Sequence, residues 1–225
     1  MDDAMSRAQV VAEISRLVDD IRRNHPTRVA VDGPDAAGKT TLADELADTL
    51  ARRGRPIVRA SVDGFHRRRN DRYRQGQDSA AGYFEDAFDY EGLRRELLEP
   101  LGPGGTGSYR TRVFDYVLDG PVCEAPRTAP EDAVLIVDGV FLLREGLRDV
   151  WEFSIFVSAE FEETLRRALD RDAALFGSRA EVERRYRARY IPGQQLYFAT
   201  ATPIEHADIV VLNDDPARPV LQIRS

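Results

Sequence analysis

The stretch GPDAAGKTT, Gly33 to Thr41, constrains this chain more than any other. It matches G-x-x-x-x-G-K-[ST] in full, a pattern with physical meaning only where a strand enters it and a helix leaves it. Residues 27–32 (TRVAVD) are a short β-branched run. Residues 40–53 then carry Leu42, Leu46, Ala47 and Leu50 on one helical face before Gly54 and Pro56 stop it. Lys39 is the only lysine in the chain; every other basic side chain of this class is an arginine. A compact ammonium on a flexible stem is kept where a planar guanidinium would not serve.

A glycine-containing loop of this kind turns consecutive backbone N–H groups toward phosphate oxygens at the positive end of a helix. Gly33, Asp35, Ala36, Ala37, Gly38, Lys39, Thr40 and Thr41 are therefore the candidate nucleotide-binding residues. Lys39 would reach the β- and γ-phosphates, and the Thr40 hydroxyl would ligate Mg²⁺, which prefers oxygen donors. ATP with Mg²⁺, or another nucleoside triphosphate, is the expected ligand.

A length of 225 residues suits a single large domain. The net charge of -7 argues against a general nucleic-acid binder, which shows a basic excess. One cysteine, Cys123, leaves no internal disulfide and no metal-ligand spacing. No apolar run reaches membrane-spanning length, and the first residues are acidic and polar, so a cytoplasmic protein is expected.

Apolar residues at helical spacing predict an N-terminal helix over residues 4–23. Strands are expected at 27–32, 57–62, 133–137, 153–157 and 209–212, with helices between them such as 160–171 and 179–189. This alternation predicts an α/β fold with a mostly parallel sheet, here a three-layer phosphate-loop fold. Residues 100–121 break the pattern: a Gly- and Pro-rich turn leads into YRTRVFDYVL, read as a hairpin excursion outside the sheet.

Ligands of open α/β sheets bind beyond the carboxyl ends of the strands, which singles out two acids. Asp63 follows IVRASV and Asp138 follows AVLIV. Asp138 has the strand-then-carboxylate form that serves Mg²⁺, and Asp63 could take the proton of an attacking hydroxyl.

GPDAAGKTT, VDGFHR, FEDAFD, VFDYV, LIVDGVF, LRRALDRD and EHADIVV occur in the order and rough spacing of the uridine kinase family, within the group that includes phosphoribulokinase and bacterial pantothenate kinase. The chain resembles that family over about residues 27–212. The resemblance implies that Asp63 is the general base, that Phe65 and His66 line the acceptor site, and that Asp138 serves Mg²⁺. It also implies that arginines of the segment RRALDRD, Arg167 and Arg171 among them, belong to a mobile lid over residues 166–192. Arg171 and Lys39 join Asp63 as candidate catalytic groups, and Arg167 and Arg179 are further lid candidates.

Uridine kinases hold the ribose diol with an aspartate whose place is taken here by Tyr83, with Glu85 and Asp86 close by. The tyrosine and histidine that read the pyrimidine fall at Phe114 and Asp119. Asp35, inside the loop, resembles the acidic residue with which thymidylate kinase meets the sugar of its acceptor. Together these imply a kinase for a small-molecule hydroxyl acceptor: a nucleoside, or alternatively pantothenate, a sugar or a nucleoside monophosphate. A homo-oligomer stays open, as does a regulatory nucleotide-binding protein. A GTPase switch is excluded, because its N-K-x-D motif needs a second lysine.

Overall fold

The computed structural model describes residues 5–224. In chain order the main elements are α1 (Arg7–Asp20), β1 (Thr27–Asp32), α2 (Lys39–Arg52), β2 (Ile57–Ser61), α3 (Ala80–Asp86), β3 (Val134–Asp138), β4 (Phe153–Ser158), α4 (Phe161–Arg171), α5 (Arg179–Arg185), α6 (Ile191–Ala201), β5 (Ile209–Leu212) and β6 (Val220–Ile223). Of the helix expected over residues 4–23, Ala4 lies outside the described residues. The helix itself starts after Ser6, whose side chain forms a reciprocal capping box with Gln9.

The sheet runs in the order β6-β5-β4-β1-β3-β2. All neighbours are parallel except β6, which pairs antiparallel with β5 at the edge. β1 therefore has β3 on one side and β4 on the other, which makes its carboxyl end the crevice where such sheets take their ligands.

Side chains alternate between two cores, as the period-2 geometry of a strand requires. Val29 and Val31 of β1, Val134 and Ile136 of β3, and Ile155 and Val157 of β4 pack with α1 and α2 through Val10, Ile14, Leu42 and Leu46. Ala30, Leu135, Val137 and Phe156 face the opposite layer, built from Phe65, Phe88, Leu97, Phe141 and Tyr197. Burial on both faces explains why these strands read as continuous apolar runs.

Two expectations are corrected. The helix expected over 179–189 is α-helical only to Arg185 and continues as a wider π-turn, Tyr186–Tyr190, into α6. The excursion expected over 100–121 is two separate short ladders, Phe114–Asp115 with Gly120–Pro121 and Ser108–Tyr109 with Arg127–Thr128, so it ends later than its composition suggests. β6 is an additional edge strand.

Residues 161–191 carry a small apolar cluster of their own, Leu165, Ala168, Val182, Tyr186 and Ile191. It holds α4 and α5 together over the carboxyl side of the sheet.

Candidate active site

The loop after β1 forms because its backbone can take turns that most residues resist. Gly38 has φ 97°, and a Cβ there would meet the Asn213 amide nitrogen at 2.6 Å, so only glycine fits. Ala36 is also left-handed, at φ 58°, a conformation an alanine adopts only when its surroundings enforce it. Helix geometry leaves the first amides of α2, those of Lys39, Thr40 and Thr41, without intrahelical acceptors. Lys39 is buried, and its ammonium donates to the Pro34 carbonyl at 2.6 Å. Burial lowers its pKa, and the charges of Asp35, Asp32 and Asp138 oppose that shift.

Behind the loop, Asp32 is fully buried. Its carboxylate accepts from the Gly33 amide at 2.7 Å, from the Leu143 amide at 3.0 Å and from the Tyr197 hydroxyl. Burial raises its pKa and these three bonds counter the rise. The network fixes the start of the loop to α6.

Two cavities meet over Lys39 and Thr40. The first, about 540 Å³, is lined by Arg7, Ala36, Gly38, Lys39, Thr40, Thr41, Glu45, Arg167, Arg171, Asn213 and Pro216. The second, about 340 Å³, contains Asp35, Asp63, His66, Tyr83, Tyr116, Asp138, Arg171, Asp172, Tyr186 and Tyr190. The first has the loop amides and suits a triphosphate; the second is a cleft of aromatic rings and carboxylates beside it. Lys39, Thr40 and Arg171 line both.

Asp63 sits on a 3₁₀ turn, Val62–Phe65, that directly follows β2 and is capped by Ser61. Among the described residues the Asp63 carboxylate accepts no hydrogen bond, and His66 Nδ1 stands 3.9 Å from it. Enclosure by the cleft walls first, and then the negative charges of Asp35 and Asp138, push its carboxyl up to about 6. The side chain is still 60% accessible because the cleft in front of it is open to water.

His66 is sandwiched between Phe88 and Tyr116, with ring centroids at 4.4 and 4.9 Å. Its Nδ1 lies 3.1 Å from the Asp63 carbonyl, which can only accept, so Nδ1 carries the proton and Nε2 offers a lone pair. Burial and the nearby Arg72 charge push the ring down to about 4, so it is neutral at physiological pH.

Asp35 Oδ2 accepts from Tyr83 Oη and from Gln194 Nε2, both at 2.7 Å. Tyr83, on α3, thus holds Asp35 in place while its ring lines the cleft. Asp138 is held at 2.6 Å by Thr40 Oγ1 and at 3.1 Å by Arg59 Nη2. A Mg²⁺ ion fits this pair: a hydroxyl and a carboxylate are hard oxygen donors, and phosphate and water would supply the remaining positions. Arg171 pairs with Asp172 at 2.6 Å and also donates to Tyr186 Oη, which sets its guanidinium at the mouth of both cavities.

Several sequence expectations fall elsewhere. Phe65 is fully buried in the apolar layer, because the 3₁₀ turn that presents Asp63 rotates it inward. Asp86 is buried and paired with Arg74 at 2.8 Å and Gln75 at 2.9 Å, off the cleft. Phe114 faces a neighbouring cavity with Arg67 and Arg68, and Tyr116 reaches the cleft in its stead. Arg167 lines the triphosphate side and donates to the Asn213 carbonyl at 2.7 Å, so it belongs with the nucleotide rather than the acceptor. Ala37 is buried, contributing its carbonyl to Asn213. Arg179 pairs with Asp170 at the surface.

Arg7, Arg59, Asp172, Gln194 and the cleft-facing Tyr186 and Tyr190 were not marked by sequence reasoning. Asp172 closes the LRRALDRD segment but was given no role there, and the others lie outside the recognised motifs.

A parallel sheet with a phosphate loop at its switch point, and an acid-lined cleft meeting that loop at one lysine, defines a phosphate-loop kinase. Residues 29–211 match the model of the phosphoribulokinase/uridine kinase family, and the chain belongs to that family. It is 25% identical over 193 residues to a uridine kinase of Ligilactobacillus salivarius, covering 84% of this chain and 86% of that protein. It is also 27% identical over 187 residues to a uridine kinase of Leuconostoc citreum, covering 80% of each. Among solved structures, a possible uridine kinase from Bacillus stearothermophilus superposes with a TM-score of 0.70 at 20% identity, over 90% of this chain and 97% of the other. The phosphoribulokinase of Rhodobacter spheroides gives 0.60 at 18% identity, over 90% and 81%. The chain is a uridine kinase-like, ATP-dependent phosphotransferase with a hydroxyl group as acceptor. Among the described residues no helix is long and apolar enough to cross a membrane.

Proposed function

We propose that this kinase phosphorylates a neutral, polyhydroxylated acceptor of the nucleoside type, with Asp63 as general base and with Mg²⁺ held by Thr40 and Asp138. The observation that carries the reading is the unbonded Asp63 carboxylate, its carboxyl raised to about 6, in a cleft that shares Lys39 and Thr40 with the nucleotide pocket. A base of this kind is largely ionised near neutrality while keeping appreciable proton affinity.

In the transfer, the acceptor oxygen bonds to the γ-phosphorus as the bond from that phosphorus to the β–γ bridging oxygen breaks. Asp63 takes the hydroxyl proton, and ADP departs. Lys39 and the loop amides steady the phosphate oxygens, and Arg171, oriented by Asp172, neutralises charge on the migrating group. Held by Thr40 and Asp138, Mg²⁺ would supply charge neutralisation on the triphosphate.

The acceptor class follows from what the cleft offers. The free side of Asp35, the Asp63 carboxylate and His66 Nε2 all accept hydrogen bonds, so the ligand must donate. The cations lining the cleft are Lys39 and Arg171, the first serving phosphate and the second tied to Asp172. An acceptor that already carries a phosphate or carboxylate would meet carboxylates without a free cation. The rings of Tyr116, Phe176, Tyr186 and Tyr190 suit a flat base, which favours a nucleoside over a plain sugar.

ADP formation measured with uridine, cytidine, purine nucleosides, the matching monophosphates, pantothenate and free sugars tests this directly. Turnover with neutral nucleosides and none with the monophosphates or pantothenate is expected. Preference for an anionic acceptor would overturn the acceptor class; acceptor-independent hydrolysis across the panel would favour a regulatory nucleotide-binding protein.

A further inference from the structure

One wall of the nucleotide pocket comes from outside the residues that match the family. The match covers 29–211, whereas Arg7, in the first turn of α1, and Asn213, just past β5, lie beyond either end of it. Both line the cavity that contains Lys39 and Thr40. Arg7 is anchored there: Nε donates to Glu45 Oε2 at 2.8 Å and Nη1 to Asn213 Oδ1 at 3.0 Å, and the side chain is only 17% exposed. Asn213 in turn donates Nδ2 to the Ala37 carbonyl at 2.7 Å, which fixes its amide so that Oδ1 faces Arg7.

Glu45 lies about 9 Å along the α2 axis from Lys39. Lys39 and Arg7 thus stand on different parts of one cavity wall, the ammonium with the Pro34 carbonyl of the loop and the guanidinium with Glu45, six residues further along α2. Two bonded nitrogens set the plane of the guanidinium, and such a planar, weakly hydrated cation presents its face to aromatic rings. The geometry points to Arg7 as a base-stacking residue of the nucleotide site, taking the heterocycle of a nucleoside triphosphate against its guanidinium face in the same cavity as Pro216. α1 then does more than cover the sheet: it delivers a ligand-contacting side chain to a pocket whose phosphate end is built by the family's shared segment.

The inference rests on the nucleotide site and not on the acceptor reading, so the test contains no acceptor. Wild type, Arg7→Ala and Arg7→Lys are titrated calorimetrically with magnesium ATP and with magnesium tripolyphosphate, which has the phosphates and no base. Both variants should bind ATP about five- to tenfold more weakly and tripolyphosphate within about twofold of wild type. Equal losses for the two ligands would assign Arg7 to shaping the loop through Asn213 and overturn the stacking role, as would unchanged ATP affinity. Should Arg7→Ala fail to fold, Arg7→Lys carries the test, since it keeps the charge beside Glu45 and lacks the planar face.

Discussion

At the scale of single residues, the proposed mechanism depends on Asp63. Asp63→Asn should lower kcat/KM by about 10²–10⁴-fold, the usual contribution of a positioned general base, with ATP affinity unchanged. In wild type, kcat/KM should rise with pH and level off above about 6, because only the ionised carboxylate accepts the proton. The same shift bears on stability. A folded-state carboxyl raised above its ordinary value keeps a proton that the unfolded chain has released, so stability is lost as pH rises from about 4 through about 6. Asp63→Asn removes that loss and should melt slightly higher than wild type at pH 8, with a smaller difference at pH 4.5. The gain is under about 1 kcal/mol, since the side chain is mostly open to water. Asp63 and Asp138 were legible in the sequence because each ends an apolar strand. Phe65 was misplaced because a 3₁₀ turn sends neighbouring side chains to opposite sides, and sequence proximity to Asp63 says nothing about that rotation.

Between elements, the acceptor cleft depends on how closely α3 and α6 approach. A Cβ on Gly193 would lie 2.8 Å from Tyr83 Cδ1 and 2.9 Å from the Ala80 carbonyl. Gly193→Ala must therefore push α3 away, and with it the tyrosine that holds Asp35. A rise in KM for the acceptor with little change in KM for ATP is expected, along with a loss of about 1–3 kcal/mol in urea unfolding. Unchanged acceptor KM would mean that Asp35 is not set by this contact. The helix over 191–201 was not among the expected elements. The proline stands at the start of α6, directly after the π-turn, and the glycine serves packing. The π-turn ahead of it was equally hidden, because periodicity averages over a single widened turn. The short ladders of the excursion are too brief to leave an alternating pattern.

Across the whole molecule, the arrangement of strands brings two cavities to one lysine. The phosphate loop was carried by its motif and the parallel sheet by the alternation of apolar runs with amphipathic segments, since burial on both faces writes itself into composition; the strand order was not among the expectations. The contacts that join the halves were not: Asp35 with Gln194, Arg7 with Asn213 and Arg171 with Tyr186 link positions far apart in sequence or chosen by a local bend. On the proposed mechanism the nucleotide and acceptor pockets meet at Lys39, so that phosphoryl passes directly to a hydroxyl under Asp63. The most direct measurement follows the γ-phosphoryl group by ³¹P NMR, with ATP, Mg²⁺ and a pyrimidine nucleoside, in wild type and in Asp63→Asn at matched nucleotide saturation. A phosphomonoester resonance growing in step with ADP for wild type, and absent for the variant over the same period, is the predicted result. Release of inorganic phosphate alone, or equal ester formation by Asp63→Asn, would contradict the account.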